Sequence, residues 1–394
     1  MKPPVRWIAV GIFVLSSTVN YLDRQIFAAL EPLIRAEFHL SYEGYGYLIS
    51  AFSLIYSVGA TVLGLTIDRI GLNAGASLAV GLWSAATMGT AWVSGLGSLV
   101  ACRALLGFAQ GGGIPATGKA FATYLEPKER ALGTASNQLG ITLGMVIAPL
   151  WAAYAAQHFG WRQAFLFPGL LGFAWIPLWL WIAKRTPIQP AAAGPKAPAV
   201  HELLRKRTYW GLLVATSLGM TLYSLWSYWT TSFLTKVWHL PETVVNQQLA
   251  WIPPLAAAAG ALLGGTASFK LAQGGLEIPA ARRQAALMGA LLLLVATASV
   301  PFAPSPLVAT FAIGMSFFGS TFLSVNLYAL PLDLFGAPRA GFAIASLTVA
   351  YGLVQAVISP LIGRIVDLHG FTPVCLGASL LPLAGVAILY GTKE

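Results

Sequence analysis

The chain has 394 residues, of which 57% are hydrophobic and only 9% charged. A soluble domain carries roughly 25% charged residues, so 23 basic and 13 acidic side chains cannot clothe a water-facing surface of this size, and lipid must cover much of the chain. The formal charge of +10 invites a nucleic-acid reading, but the basic residues sit in short loops between apolar runs, which argues against one.

A spanning helix needs about 20 mostly apolar residues. In chain order, such runs fall near 7–30, 44–66, 74–94, 96–123, 131–156 and 162–183, and then near 209–235, 245–269, 284–302, 306–330, 341–364 and 372–391. The first is too long for a signal-peptide core and shows no small-residue cleavage site, so it reads as an uncleaved first span. Cys102 and Cys375 lie inside apolar runs and read as free thiols, and no metal or redox pattern appears. Between the sixth and seventh runs, Thr186, Pro187, Pro190, Gly194, Pro195 and Pro198 precede the basic run Arg205, Lys206 and Arg207. That composition marks a linker. The expected organisation is an all-α membrane protein of twelve transmembrane helices. It comprises an N-terminal six-helix bundle over 1–183, a cytoplasmic linker over 184–208 and a C-terminal six-helix bundle over 209–394.

Basic residues set the orientation. With the N-terminus in the cytoplasm, the inner side carries Lys2, Arg6, Arg69, Lys128, Arg130, Lys184, Arg185, Lys196, Arg205, Lys206, Arg207, Lys270, Arg282, Arg283, Arg339 and Lys393. The outer side keeps Arg35, Arg162, Lys236 and Arg364. Sixteen against four places both termini in the cytoplasm under the positive-inside rule. The halves also repeat. Ile147-Ala148-Pro149-Leu150 followed by His158-Phe159-Gly160 matches Ile358-Ser359-Pro360-Leu361 followed by His369-Gly370-Phe371. Pro127-Lys128-Glu129-Arg130-Ala131 likewise matches Ala337-Pro338-Arg339-Ala340. Parallel six-span repeats imply a pseudo-two-fold fold with a substrate site near the bilayer midplane.

Gly64-Leu65-Thr66-Ile67-Asp68-Arg69-Ile70-Gly71, between the second and third spans, resembles the loop signature of the major facilitator superfamily, with Leu72 and Asn73 where basic residues usually follow. In that family the Asp-Arg pair latches a cytoplasmic gate, so Asp68, Arg69 and Arg130 are the gating candidates. A narrower resemblance is to the anion:cation symporter family, which includes bacterial hexuronate and galactonate carriers, sialin and the vesicular glutamate transporters. It is carried by Asn20-Tyr21-Leu22-Asp23-Arg24, Arg103-Ala104-Leu105-Leu106-Gly107, Pro115-Ala116 with Lys119, Lys128-Glu129-Arg130-Ala131, Gly160-Trp161-Arg162-Gln163-Ala164-Phe165 and Ala281-Arg282-Arg283.

Asp23, Arg24, Arg103 and Lys119 are the ionisable residues deep in spans. Each costs at least ~2.5–3.5 kcal/mol near a helix centre, so each should face a partner or an aqueous cavity. Adjacent side chains point about 100° apart on a helix, so Asp23 and Arg24 should have different partners. A structural ion pair of Asp23 with Arg24 or Arg103 is the plain alternative to a functional site. Two arginines against one acid leave a positive excess suited to a carboxylate, because guanidinium donates two parallel hydrogen bonds. The resemblance places Arg24 and Arg103 at or near the substrate. Lys119 reads as a gate or interface lysine. Asn20, Tyr21, Tyr56, Gln110 and Gln138 in the first half, and Tyr228, Trp229, Ser324, Asn326, Tyr351 and Gln355 in the second, are the candidates for substrate contact. Tyr56 matches a span-two tyrosine that reaches substrate in the resembled family.

Proton coupling needs a group that titrates between two states, and Asp23 is the candidate: desolvation raises a carboxyl's pKa and a nearby arginine lowers it. Gln110 stands where the family usually has a glutamate, seven residues after the span-four arginine. The expected function is secondary active transport of small organic anions, such as sugar acids, by proton-coupled symport and alternating access. An uncoupled facilitator or an anion exchanger is the alternative, and a transport-dead membrane sensor a weaker one. No enzyme signature, catalytic residue, cofactor or metal site is read. The expected partners are the anion, protons and the lipid bilayer, with no nucleic acid. A functional monomer in the bacterial cytoplasmic (inner) membrane is expected.

Overall fold

The computed structural model describes residues 3–126, 129–186 and 200–392. Lys2, Pro127, Lys128, Lys196 and Lys393, used above, and residues 187–199 of the predicted linker lie outside the described residues.

The regular elements among the described residues are helices. In order they are α1 (Pro3–Ala29), α2 (Glu31–Glu37), α3 (Tyr42–Ile70), α4 (Leu72–Gly89), α5 (Leu96–Gly111), α6 (Gly113–Tyr124), α7 (Arg130–His158) and α8 (Leu166–Arg185). They continue as α9 (Val200–Leu204), α10 (Arg207–Gly219), α11 (Thr221–Trp238), α12 (Glu242–Gln248), α13 (Ile252–Gln273), α14 (Ile278–Ser299), α15 (Pro306–Phe335), α16 (Ala337–His369), α17 (Phe371–Ser379) and α18 (Leu381–Gly391). Among the described residues, 9 helical stretches are long and apolar enough to cross a membrane. The predicted runs near 74–94, 96–123 and 209–235 are the ones not among them. The first is α4, whose small and hydroxyl residues dilute its apolar character. The other two are diluted likewise, by Arg103, Gln110 and glycines in α5 and α6 and by Thr, Ser, Tyr and Trp in α10 and α11, and each is also interrupted, at Gly112 and at Met220. Membrane proteins tolerate such breaks where neighbouring helices satisfy the freed backbone groups.

Two compact units emerge, Met1–Ala193 with Pro241–Trp251, and Gly194–Leu240 with Ile252–Glu394. The first unit thus includes α12, from the segment between the predicted seventh and eighth spans. There the Asn246 amide donates to the Ala29 carbonyl at 2.8 Å, and Gln247 donates to Gln157 at 3.2 Å. The first unit's core gathers Phe13, Trp175 and Trp179, whose indoles stack with centroids 5.8 Å apart. The Trp175 indole N–H donates to the Ile12 carbonyl at 2.6 Å, so the buried ring is not left with an unmet donor.

Glycine lets helix backbones touch in each unit. A Cβ added to Gly59 on α3 would lie 2.1 Å from the Phe108 carbonyl oxygen, and one on Gly107 of α5 would lie 2.3 Å from that of Phe52. The α3 and α5 backbones therefore touch directly, as small residues permit between membrane helices. In the second unit α13 meets α15 the same way, with a Cβ on Gly260 falling 2.2 Å from the Phe318 carbonyl oxygen. The packing of the second and fourth predicted spans thus recurs in the eighth and tenth.

At the end of the first unit expected to face outward, Glu37 is clamped. It accepts from the Trp161 indole at 2.6 Å and pairs with Arg162 at 2.6 Å, while Arg162 also donates to the Val93 carbonyl at 3.0 Å. This gives Gly160-Trp161-Arg162 a structural task. Partial burial alone would raise the Glu37 carboxyl, but the bonds from Trp161 and Arg162 outweigh it and hold the group below the usual glutamate range.

Gly59→Ala is expected to destabilise the first unit by about 1–3 kcal/mol, the usual cost of overpacking, or to prevent folding. Gly11→Ala, where nothing lies within 4 Å, leaves stability unchanged or slightly raised. Apparent Tm of the purified variants checks the contrast. A depressed folded-state pKa contributes stability that is complete above the unfolded value and lost as pH falls through the folded one. Glu37→Gln is therefore expected to lower Tm at pH 7, with the difference from the parent protein shrinking as pH falls below the ordinary glutamate range.

Candidate functional site

The charges flagged in the sequence converge inside the first unit. Asp23 and Arg24 are consecutive on α1 yet face different surroundings. Asp23 is 0% exposed, with Thr87 of α4 and the Arg103 guanidinium of α5 as its polar and charged neighbours. Arg24, partly buried, donates from Nε and Nη2 to the Gln110 side-chain oxygen at 3.3 Å each. Gln110 in turn donates to the Asn20 carbonyl at 3.1 Å, linking α5 to α1 across a bond that a protonated acid could also make.

Aromatic faces surround both guanidiniums. Arg24 lies 4.9 Å from the Tyr21 ring centroid, 4.9 Å from that of Phe52 and 5.1 Å from that of Tyr56. Arg103, 1% exposed, lies 4.2 Å from the Phe27 centroid and 4.7 Å from that of Phe52. Ring quadrupoles attract a cation placed over them, and do so more strongly where water is excluded. The structure thus brings together Asn20, Tyr21, Arg24, Tyr56 and Gln110, with Asp23 and Arg103 beside them. Gln138 lies half-buried on α7. Phe52 and Thr87 were not singled out in the sequence. Phe52 sits one helical turn before Tyr56 on the same face, the one spacing that pointed to it.

In the second unit, Trp229, Tyr351 and Gln355 line one cleft together with Thr221, Ser224 and Ser359. This is a neutral and largely apolar wall, with Leu225, Ile358 and Ile362 beside the hydroxyls, the amide and two aromatic rings. Tyr228 is buried on α11. Ser324 donates to the Thr321 carbonyl at 3.2 Å, inside its own helix. Asn326 is fully buried, and its amide donates to the Gly264 carbonyl at 3.0 Å and that of Phe322 at 2.9 Å, tying α13 to α15.

At the end of the first unit expected to face the cytoplasm, Asp68 pairs with Lys119 at 2.8 Å, and Lys119 also donates to the Ile67 carbonyl at 3.1 Å. The lysine therefore bridges the last turn of α3 to α6. Arg69 is exposed, and Arg130 donates to the Ala122 carbonyl at 3.3 Å. Nearby, Arg6 pairs with Glu126 at 2.9 Å and with Glu129 at 2.7 Å, fastening the start of α1 beneath the end of α6. In the second unit the corresponding loop places Arg282 in an ion pair with Asp333.

A helical fold of apolar spans, with charges gathered deep in one unit, defines a polytopic membrane transporter. The family model of the Major Facilitator Superfamily matches residues 13–353, and the chain belongs to that family. It is a transporter and not an enzyme. The chain is 26% identical to the hexuronate transporter of Escherichia coli (strain K12) over 407 residues, covering 98% of this chain and 93% of that one. It is 28% identical to the galacturonate transporter of Dickeya chrysanthemi over 281 residues, covering 66% and 81%. A bacterial homologue of the human lysosomal transporter Spinster, solved in an inward-facing and occupied conformation, shares the fold with a TM-score of 0.79 at 17% identity, covering 99% of this chain and 97% of that one.

The Asp68–Lys119 pair is exposed enough that breaking it costs folding stability less than ~1 kcal/mol. Its expected effect is on conformation instead. Asp68→Asn should raise the reactivity of single cysteines placed along the cytoplasmic ends of the helices. The exchanged pair, Asp68→Lys with Lys119→Asp, should restore the parent pattern. Unchanged labelling in Asp68→Asn would make the loop an ordinary turn.

Proposed function

We propose that this chain carries small organic anions across a bacterial inner membrane, with hydroxylated carboxylates such as sugar acids as the substrate class. It works by alternating access as a monomer, with both termini in the cytoplasm. The observation that carries the reading is the pair of guanidiniums, Arg24 and Arg103, set around one aromatic ring beside the buried Asp23. Arginine forks match a carboxylate bidentately. The names of the relatives, hexuronate and galacturonate transporters, point to the same chemistry. Tyr21, Asn20 and Tyr56 complete the charged wall. Trp229, Tyr351 and Gln355, with Tyr228, offer neutral groups suited to hydroxyls.

Asp23 is the proposed proton carrier. An anion seated on the arginines competes with Asp23 for their charge, favouring its protonated form, so anion and proton travel together. A second reading, an exchanger or facilitator, is favoured by Gln110. It occupies the acceptor position for Arg24 with a group that cannot titrate. On the symport reading, Asp23 alone limits coupling to one proton per cycle, and uptake of a monovalent anion is electroneutral.

A thermal-shift screen of carboxylates on purified protein identifies the ligand, since one that binds only the folded state raises its stability. In proteoliposomes, Arg103→Lys is expected to weaken binding by tenfold or more, about 1.4 kcal/mol, despite keeping the charge. Asp23→Asn is expected to keep anion exchange while losing accumulation driven by a pH gradient. Undiminished binding in both Arg24→Ala and Arg103→Lys removes the arginines from the site. Accumulation by Asp23→Asn equal to that of the parent moves the proton elsewhere.

A further inference from the structure

Resting on that reading, we infer that Phe52 is a positioning residue of the anion site, the ring that fixes the spacing of the two arginines and thereby sets which anions fit. Its ring is the one approached by both guanidiniums, at 4.9 Å from Arg24 and 4.7 Å from Arg103. The two charges are therefore held within about 9.6 Å, the sum of those two distances, although like charges repel and each comes from a different helix. A benzene ring close to two cations offsets that repulsion, because its quadrupole attracts each of them. It does so without adding a negative charge, whereas a carboxylate in its place would cancel more of the charge available to a substrate.

The ring is itself pinned. Phe52 is 2% exposed, and its carbonyl oxygen is the atom that a Cβ on Gly107 would strike. Gly107 lies one turn after Arg103 on α5, so the contact that brings α3 against α5 also sets the height of the ring relative to that arginine. On the other side, the Phe52 and Tyr56 rings stack with centroids 5.8 Å apart. Backbone contact below and an aromatic neighbour above leave the ring little freedom to follow a moving side chain. The arginines adjust to the ring, and the ring sets their separation. A fixed separation discriminates among anions by where their oxygen acceptors lie, and so separates a monocarboxylate from a dicarboxylate of similar length.

The test is uptake and binding of galacturonate, a monoanion, against galactarate, the dianion of similar length, in proteoliposomes. Phe52→Leu keeps an apolar core but removes the ring. It is expected to raise the KM for galacturonate about tenfold, within the range of a desolvated cation–π contact, with kcat within about twofold and with the preference over galactarate reduced. Phe52→Tyr, which keeps the ring, is expected to restore the parent KM and selectivity. Adding Phe52→Leu to Arg103→Lys is expected to cost less than the two separate losses combined, because the two act through one arrangement. Should Phe52→Leu not fold, Phe52→Met, of similar volume and without a ring, carries the same comparison. Unchanged KM and selectivity in Phe52→Leu or Phe52→Met, with binding lost in Arg103→Lys, overturns the inference and leaves the anion site standing. A raised KM that Phe52→Tyr does not restore also overturns it, since the ring would then be packing alone. Galacturonate binding that survives Arg24→Ala and Arg103→Lys, or is absent from the parent protein, takes down the anion-site reading itself, a separate failure.

Discussion

The guanidinium of Arg103, 1% exposed inside a bundle of apolar helices, is the constraint on which the arrangement of the first unit depends. A charge at that depth costs several kcal/mol unless the protein replaces the water it has lost. Two aromatic faces, Phe27 and Phe52, and the carboxyl of Asp23 stand close to it in place of water. Each comes from an element that must approach α5 closely. Phe27 and Asp23 come from α1, and Phe52 from α3. The glycines at positions 59 and 107 are the means of that approach, since any side chain there would push α3 and its phenylalanine away from the arginine. Charge, ring and glycine are thus one requirement seen at three levels.

The two units are chemically unlike although their helix packing repeats. In the first, α3 meets α5 through glycine and the deep residues are arginines, an aspartate and a glutamine. In the second, α13 meets α15 through glycine, while the cleft beside Trp229 holds hydroxyls, an amide and aromatic rings. A shared scaffold has been given a charged filling in one copy and a neutral one in the other.

Much of this was legible before any coordinates. Nine of the twelve predicted spans reappear as long apolar helices, because a run of twenty apolar residues has few other stable fates. The exceptions are thinned by polar, hydroxyl and small residues, and two of them are broken as well. Gly111, Gly112 and Gly113 were visible as small residues, but nothing local says that a helix will break there rather than bend. Met220 carries no breaker signal at all. That α12 packs with the first unit rests on Asn246 reaching the Ala29 carbonyl, a contact spanning 217 positions that periodicity cannot reveal. At the candidate site the arginines and Asp23 stood out because charge is rare in lipid, and Gln110 because the resembled family usually has a glutamate there. Phe52 did not, because phenylalanine in a span is ordinary packing until two cations are found on its faces. The loop signature singled out an acid–base pair at Asp68 and Arg69. The partner of Asp68 turned out to be Lys119, 51 positions away, because the lysine rises from α6 toward the end of α3.

The seam between α3 and α5 has a further meaning for how stiffness is distributed. Most helix interfaces are cushioned by side chains that can change rotamer, so the helices slide a little at small cost. Where Gly59 faces Phe108 and Gly107 faces Phe52, backbone rests on backbone and there are no rotamers to rearrange. The two helices therefore behave as a single plate, and the arginine and ring mounted on it keep their mutual distance when the surrounding helices shift. Compliance within the unit must then lie elsewhere, in long side chains such as those of Arg24 and Lys119. Residues mounted on the stiff part keep their spacing while such side chains move around them.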